Sequence, residues 1–210
     1  MARAKPVELT SITFAKTGDA LDFFKKMLNR YSDGERINDE DSMLLHQLLL
    51  RHPDDKIGVG ADYFYRAKSP KWPTSGFHVM RTNGEWTDFS YIECVNGEKP
   101  SVENYFYKAC RFAVSNYLTE KKNNLFERGQ VLCSATGEPV TRETSEYRHT
   151  SPSFVELVNE FVALNGAKID WGLFHEDRDR QYHVEFSDSG LTKQFLKYHQ
   201  ANANLEVFKK

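Results

Sequence analysis

Asn83-Gly84 stands between two short alternating runs, residues 77–81 and 85–91. In Thr82-Asn83-Gly84 the Asn-Gly pair accepts the positive φ angles of a tight turn, so the two runs are read as antiparallel neighbours. A third strand, residues 61–66, precedes them behind the turn-forming Gly58 and Gly60. Two helical stretches come first. Ala20, Phe23, Phe24, Met27, Leu28 and Tyr31 recur at helical spacing, as do Met43, Leu44, Leu45, Leu48 and Leu49. Thr17-Gly18-Asp19 offers capping groups to the first stretch, and Asn38 or Asp39 to the second. His52-Pro53 stops the second, because proline disfavours helix at the residue before it. Residues 7–14 alternate and are read as a strand. Helices followed by an antiparallel meander predict an α+β fold.

The polar stretch 96–100 is the expected boundary. Beyond it Ser101 caps a long helix with Tyr105, Phe106, Ala109, Cys110, Ala113, Val114, Tyr117 and Leu118 on its apolar side, continuing through Phe126. Cys110 within that stripe is read as a small core residue. A hairpin about Thr136-Gly137 follows, then a short extended run ending at His149. Ser153 starts a helix with Phe154, Leu157, Val158, Phe161 and Val162 inward, and Gly166 closes it. Residues 171–180 are read as loop, 181–186 as a strand, 191–199 as a helix and 205–208 as a last strand.

A 40% hydrophobic content supplies a core for 210 residues. The formal charge of -2 gives no global basic field, so contact with nucleic acid must come from a local patch. Cys94, Cys110 and Cys133 are far apart and form no C-x-x-C, which excludes a four-cysteine zinc ribbon. No apolar run is long enough to span a bilayer and residues 1–6 hold no signal-peptide core, so the expectation is a cytoplasmic protein without membrane contact.

HPDDKIGVG at residues 52–60 and RTNGEWTDFSYIEC at 81–94, preceded by Phe14 and the helix pair, resemble the DCL family, named for defective chloroplasts and leaves. The family pattern runs HP, K-I-G-x-G, an aromatic strand, R-T-[DN]-G and D-F-S-Y-x-x-C. The likeness covers residues 10–97, and departs at Gly76, where the family often has cysteine. It implies a helix pair with an antiparallel sheet and a link to RNA. Plant members act in chloroplast ribosomal RNA maturation, and a similar module sits on plant-specific RNA polymerase subunits. The resemblance supplies no catalytic residues.

Residues 130–208 resemble the HNH-type nuclease domain that bacterial and phage proteins join to a DCL-like domain. The matching positions are Cys133, Thr136, Gly137, Glu138, His149, Pro152, Phe154, Phe195, Tyr198, His199, Ala203 and Leu205. That resemblance implies a histidine that activates water, with a carboxylate and a late His or Asn holding one divalent ion on the scissile phosphate. His149 matches the base. The carboxylate position holds Arg148, which cannot lose its proton and repels a cation. The late ligand is expected beyond the last strand, where the sequence reads Lys209-Lys210. Glu146 shares a strand face with Arg148 but lies about 6–7 Å along the chain.

A second constellation interleaves cations with aromatic rings: Tyr63, Phe64, Tyr65, Arg66, Lys68, Lys71, Trp72 and Arg81. Cations meet phosphates and exposed rings stack on bases, whereas rings turned inward make only a core. Arg111, Lys121 and Lys122 on the long helix are diluted by acids and read as a solvated face. The sequence therefore predicts a DCL-like domain (residues 1–98), a connecting helix (99–128) and a degenerate HNH-like domain (129–210). The expected function is non-catalytic: a nucleic-acid-associated factor of phage or mobile-element type, which binds DNA or RNA, or a protein that acts on them. Its contacts are Arg66, Lys68, Lys71, Trp72, Arg81 and Arg148, and it has no cofactor. The alternatives are a metal-dependent endonuclease with His149 as general base and an ion such as Mg²⁺, and a protein-binding inhibitor.

Overall fold

The chain opens with a small hairpin where one long strand was expected. β1 (Val7–Glu8) and β2 (Thr13–Phe14) pair antiparallel, because the run folds back between them, where the Leu9 N–H donates to the Ile12 carbonyl at 2.9 Å. The computed structural model describes residues 5–70, 74–166, 168–175 and 183–210. These fall into two units, one within residues 5–100 and the other from residue 101 onward.

In the first unit α1 (Thr17–Asn29) takes in the residues expected to cap it, so its cap falls one residue earlier. Lys16 stands at the N-cap without a side-chain bond, and the Thr17 hydroxyl donates instead to the Lys5 carbonyl. α2 (Asp39–Leu49) is capped as read, with the Asn38 side chain accepting from the Asp41 N–H. Leu45, Leu48 and Leu49 are buried, but Met43, expected inside, is 63% exposed because its place on the helix turns it outward. Asp41 ties the two helices together. Its carboxylate accepts from Arg30 Nη2 at 2.8 and 2.7 Å and from the Tyr31 hydroxyl at 2.5 Å.

The helices pack on one face of a three-stranded antiparallel sheet, β3 (Ala61–Lys68), β4 (Ser75–Arg81) and β5 (Trp86–Phe89). Gly84, with φ +83°, supplies the turn conformation that Asn83-Gly84 predicted. The last strand is shorter than expected. Ser90 leaves the sheet and caps α3 (Tyr91–Asn96), its hydroxyl accepting from the Glu93 N–H, and buries Cys94 and Val95 in the first core.

The second unit is built on α4 (Val102–Glu127), which reaches as far as the apolar spacing indicated. Its residues Tyr105, Phe106, Ala109, Cys110 and Val114 share a core with α5 (Phe154–Asn165) and α6 (Ser189–Asn202). The helix expected to act as a connector thus supplies core side chains to this unit. α5 starts with a capping box between Ser153 and Glu156 and ends on Gly166, whose φ is +57°. β6 (Val131–Leu132) and β7 (Pro139–Val140) form the hairpin read about Thr136-Gly137. β8 (Ser145–His149) pairs antiparallel with β9 (Leu205–Lys209), which sets His149 opposite Leu205 and Arg148 opposite Glu206. The strand read at 181–186 falls partly outside the described residues; within 183–186 a single bridge joins Phe186 to Phe174. Both units combine helices with antiparallel strands, the α+β class that the sequence predicted.

Candidate nucleic-acid interface

Side chains alternate across a strand, and in the first unit that parity separates two sets of aromatic residues. Phe64, Phe77, Val79 and Phe89 point into the core beneath the helices. Tyr63 and Tyr65 belong to the opposite face, with His78, Met80 and Trp86. Register places Tyr65 beside His78 and Tyr63 beside Met80, which in turn neighbours Trp86. The rings form a continuous path. Tyr63 and Tyr65 have centroids 5.9 Å apart, Tyr65 stacks on His78 at 5.1 Å, and His78 lies 5.7 Å from Trp86. Arg36 is exposed, and its guanidinium carbon stands 4.5 Å from the centre of the Tyr63 ring. His78 is only 2% exposed, and burial holds its imidazole below the ordinary histidine range, so at neutral pH it is an uncharged member of the path.

The cations named from the sequence are not all on that face. Arg66 turns back toward α1, donating to the Tyr31 carbonyl at 2.5 Å and lying 3.0 Å from the Asp33 carboxylate. Arg81 is buried and donates to the Lys56 carbonyl through Nε and Nη2 at 3.2 and 3.0 Å. Both hold loops to the sheet, a task that short sequence spacing does not reveal. Lys68, the last residue of β3, is exposed. Lys71 and Trp72 lie outside the described residues. Arg36, which sequence reasoning missed, reaches Tyr63 because residues 34–37 run along the edge of β3. There Ile37 N–H donates to Phe64 O, and Gly34 N–H to Arg66 O. No local pattern announces that pairing.

In the second unit Arg148 is exposed on β8, paired with Glu146 two residues away and set 5.3 Å from the Phe208 ring. His149 points to the other face of the strand. Its Nε2 meets the Nε2 of His199 at 2.7 Å, within a cage of Phe154, Phe195 and Tyr117. His199 is fully buried; desolvation and the neighbouring His149 lower its pKa to about 4. Burial and then Arg111 lower that of His149. The two imidazoles are therefore neutral at pH 7 and share one proton. Among the described residues no three His, Cys, Asp or Glu side chains converge as a metal-ligand set. Cys133 anchors the β6–β7 turn, where the Thr136 hydroxyl and the Lys209 N–H stabilise its thiolate and lower its pKa to about 7.

Comparison with known proteins bears on the first unit. Residues 25–95 match the family model described as "Protein of unknown function (DUF3223)". Protein DCL, chloroplastic, of Solanum lycopersicum is 32% identical over 99 residues, which are 45% of this chain and 43% of that protein. The first unit carries a DCL-like domain. The DCL-like segment is also similar to part of DNA-directed RNA polymerase IV subunit 1 of Arabidopsis thaliana, 35% identical over 107 residues, 50% of this chain and 7% of the subunit. The chain thus spans less than half the length of these relatives. An uncharacterized protein from Rhodospirillum rubrum, solved by solution NMR, is 42% identical, with a TM-score of 0.40 over 45% of this chain and 91% of that one.

The residues that signal the DCL-like domain serve its architecture. His52 lies 3.5 Å from Glu93. Gly58 has φ +56°, and a Cβ there would meet Arg81 Nε at 3.2 Å. Thr82 fastens the same loop, its N–H donating to Gly60 O and its hydroxyl to Val59 O. Cys94 is buried, and its thiol is pushed far above the ordinary range by burial. The DCL-like signature thus locks the loop before β3 against the β4–β5 turn. No helix among the described residues is long and apolar enough to cross a membrane.

Proposed function

We propose that this chain is a non-catalytic, nucleic-acid-associated binding protein whose DCL-like domain takes single-stranded nucleic acid across the outer face of its sheet. What carries the reading is the ring path Tyr63, Tyr65, His78 and Trp86 on the face turned from the core. Tyr63, Tyr65 and Trp86, each partly exposed, offer π-surface to unpaired bases, with the buried His78 linking them, and Arg36 and Lys68 supply charge for the backbone. The similarity to part of an RNA polymerase subunit supports a setting in which the chain works beside a nucleic-acid enzyme, and a phage or mobile-element factor fits that setting. The second unit, on this reading, is an HNH-like scaffold that has lost its ion. His149 faces another neutral imidazole where hydrolysis would need a carboxylate-bound metal.

Fluorescence anisotropy with labelled single-stranded RNA and DNA, and the matching duplexes, tests the reading. Single strands should bind more tightly than duplexes, and Tyr65→Ala or Trp86→Ala should each weaken binding by roughly tenfold or more, as the loss of one stacking ring does. Equal affinity in wild type and both variants would remove the sheet face from the mechanism. Plasmid cleavage in Mg²⁺ or Mn²⁺ that disappears in His149→Ala would replace the binding reading with the nuclease one.

A further inference from the structure

Arg111 of α4 lies against Phe154, the first residue of α5. It is exposed, and no hydrogen bond or ion pair engages it among the described residues. Its guanidinium carbon lies 4.5 Å from the centre of the Phe154 ring. The His149 ring lies 5.1 Å from the same phenyl ring. A cation and a histidine therefore adjoin one aromatic ring, and among the described residues no carboxylate pairs with either.

The state of His149 follows from its partner. Its Nε2 is engaged by His199 Nε2, so only Nδ1 is left for another group, and that atom is not sealed in the core. His199 is fully buried and its Nδ1 has no partner. If His149 donated the shared proton, His199 would carry its own proton on Nδ1 as an orphaned buried N–H, the rarer kind of unsatisfied group. If His199 donates it, only a bare lone pair is orphaned. The second arrangement places the proton of His149 on Nδ1, as an outward donor.

We propose that Arg111 and the Nδ1–H of His149 form a phosphate-binding site in the second unit, with His199 as the positioning residue that fixes the tautomer. A planar guanidinium and one N–H donor match the oxygens of a phosphate group. The surrounding charges favour an anion. Lys121 of α4 acts on His199 and Arg111 on His149, while the packed faces of α5, α6 and β9 offer Phe154, Phe195 and Leu205. Tyr147 of β8 and Tyr117 of α4 are the remaining titratable neighbours, both tied electrostatically to Lys121. Arg111 and Lys121 would repel a divalent cation. The site is independent of the reading made for the DCL-like sheet, since its residues lie in the other unit.

The phosphate can belong to a free ion or to a nucleic-acid backbone, and imidazole ¹⁵N NMR of the full chain separates the two. One titration uses inorganic phosphate and another a short oligothymidylate, each against chloride at matched ionic strength. The His149 signals should move saturably with at least one of them. Arg111→Gln should weaken that response about tenfold, and Arg111→Lys should restore part of it. His199→Gln should shift the His149 nitrogen pattern toward the other tautomer, which a merely structural role would not do. A response to phosphate alone assigns a small phosphate ligand; a response to the oligonucleotide that survives Tyr65→Ala assigns the backbone, whatever becomes of the sheet. Silence from His149 in both titrations, or an undiminished response in Arg111→Gln, would overturn the site.

Discussion

Arg81 shows how a residue's neighbours decide its role. Its side chain is almost wholly buried, and two of its nitrogens satisfy the Lys56 carbonyl. Removing it orphans that carbonyl and opens a void beside Gly58. Arg81→Ala should therefore lower the stability of the DCL-like domain by about 2 kcal/mol, read from urea unfolding of first-unit NMR signals. His199 makes the opposite case, a group whose burial costs stability only in acid. Its folded pKa of about 4 lies below the 6.5 of a free histidine. Between those values the unfolded chain holds the extra proton, so stability is complete above pH 6.5 and is lost as pH falls toward 4. The loss across that window is on the order of 3 kcal/mol. Urea transitions followed on α6 signals at pH 7 and pH 4.5 should show it, and His199→Gln should flatten most of the difference.

At the scale of elements, β3 marks how far the sequence could be read. Its alternation was legible, and so was the Asn83-Gly84 turn that sets its neighbours' register. Which parity faces inward was not, because Tyr63, Phe64 and Tyr65 are all aromatic and only the helices decide. The structure answers with Phe64, 3% exposed in the core. Phe64→Ala should destabilise the DCL-like domain by about 3–4 kcal/mol, while Tyr63→Ala should cost roughly 1 kcal/mol or less and act on binding instead. Comparable losses from both in chemical denaturation would contradict the assignment of faces. α3 was missed because its six residues are too few to show a helical period, and its signal was a single cap, Ser90. Arg66 and Arg81 were read as ligands for phosphate because both follow aromatic strands. Their carbonyl partners at Tyr31 and Lys56 are brought close only by folding. His149 was legible as the key residue of its stretch, but its neighbour His199 lies fifty residues on and arrives on a different helix.

For the whole molecule, charge and surface must be weighed together. A formal charge of -2 gives no long-range attraction for a polyanion. Two of the cations that sequence alone placed in the patch are engaged inside the fold, which leaves Arg36 and Lys68 as exposed charges for the backbone among the described residues of the sheet. Affinity for a single strand must then come mainly from stacking, which salt does not screen. Each phosphate neutralised contributes about 0.7 to the slope of log K against log salt for single strands, so two contacts predict a slope near −1.4. A protein bound chiefly through a basic stripe would show a slope several times steeper. Anisotropy titrations between about 50 and 200 mM salt should therefore lose less than tenfold in affinity. The Tyr65→Ala variant should be weaker at every salt concentration with the slope unchanged, because a ring releases no counterions. A steep slope in the wild type would mean that a basic surface does the binding in place of the aromatic one, and a slope that falls in Tyr65→Ala would mean that the ring positions a phosphate contact instead of a base.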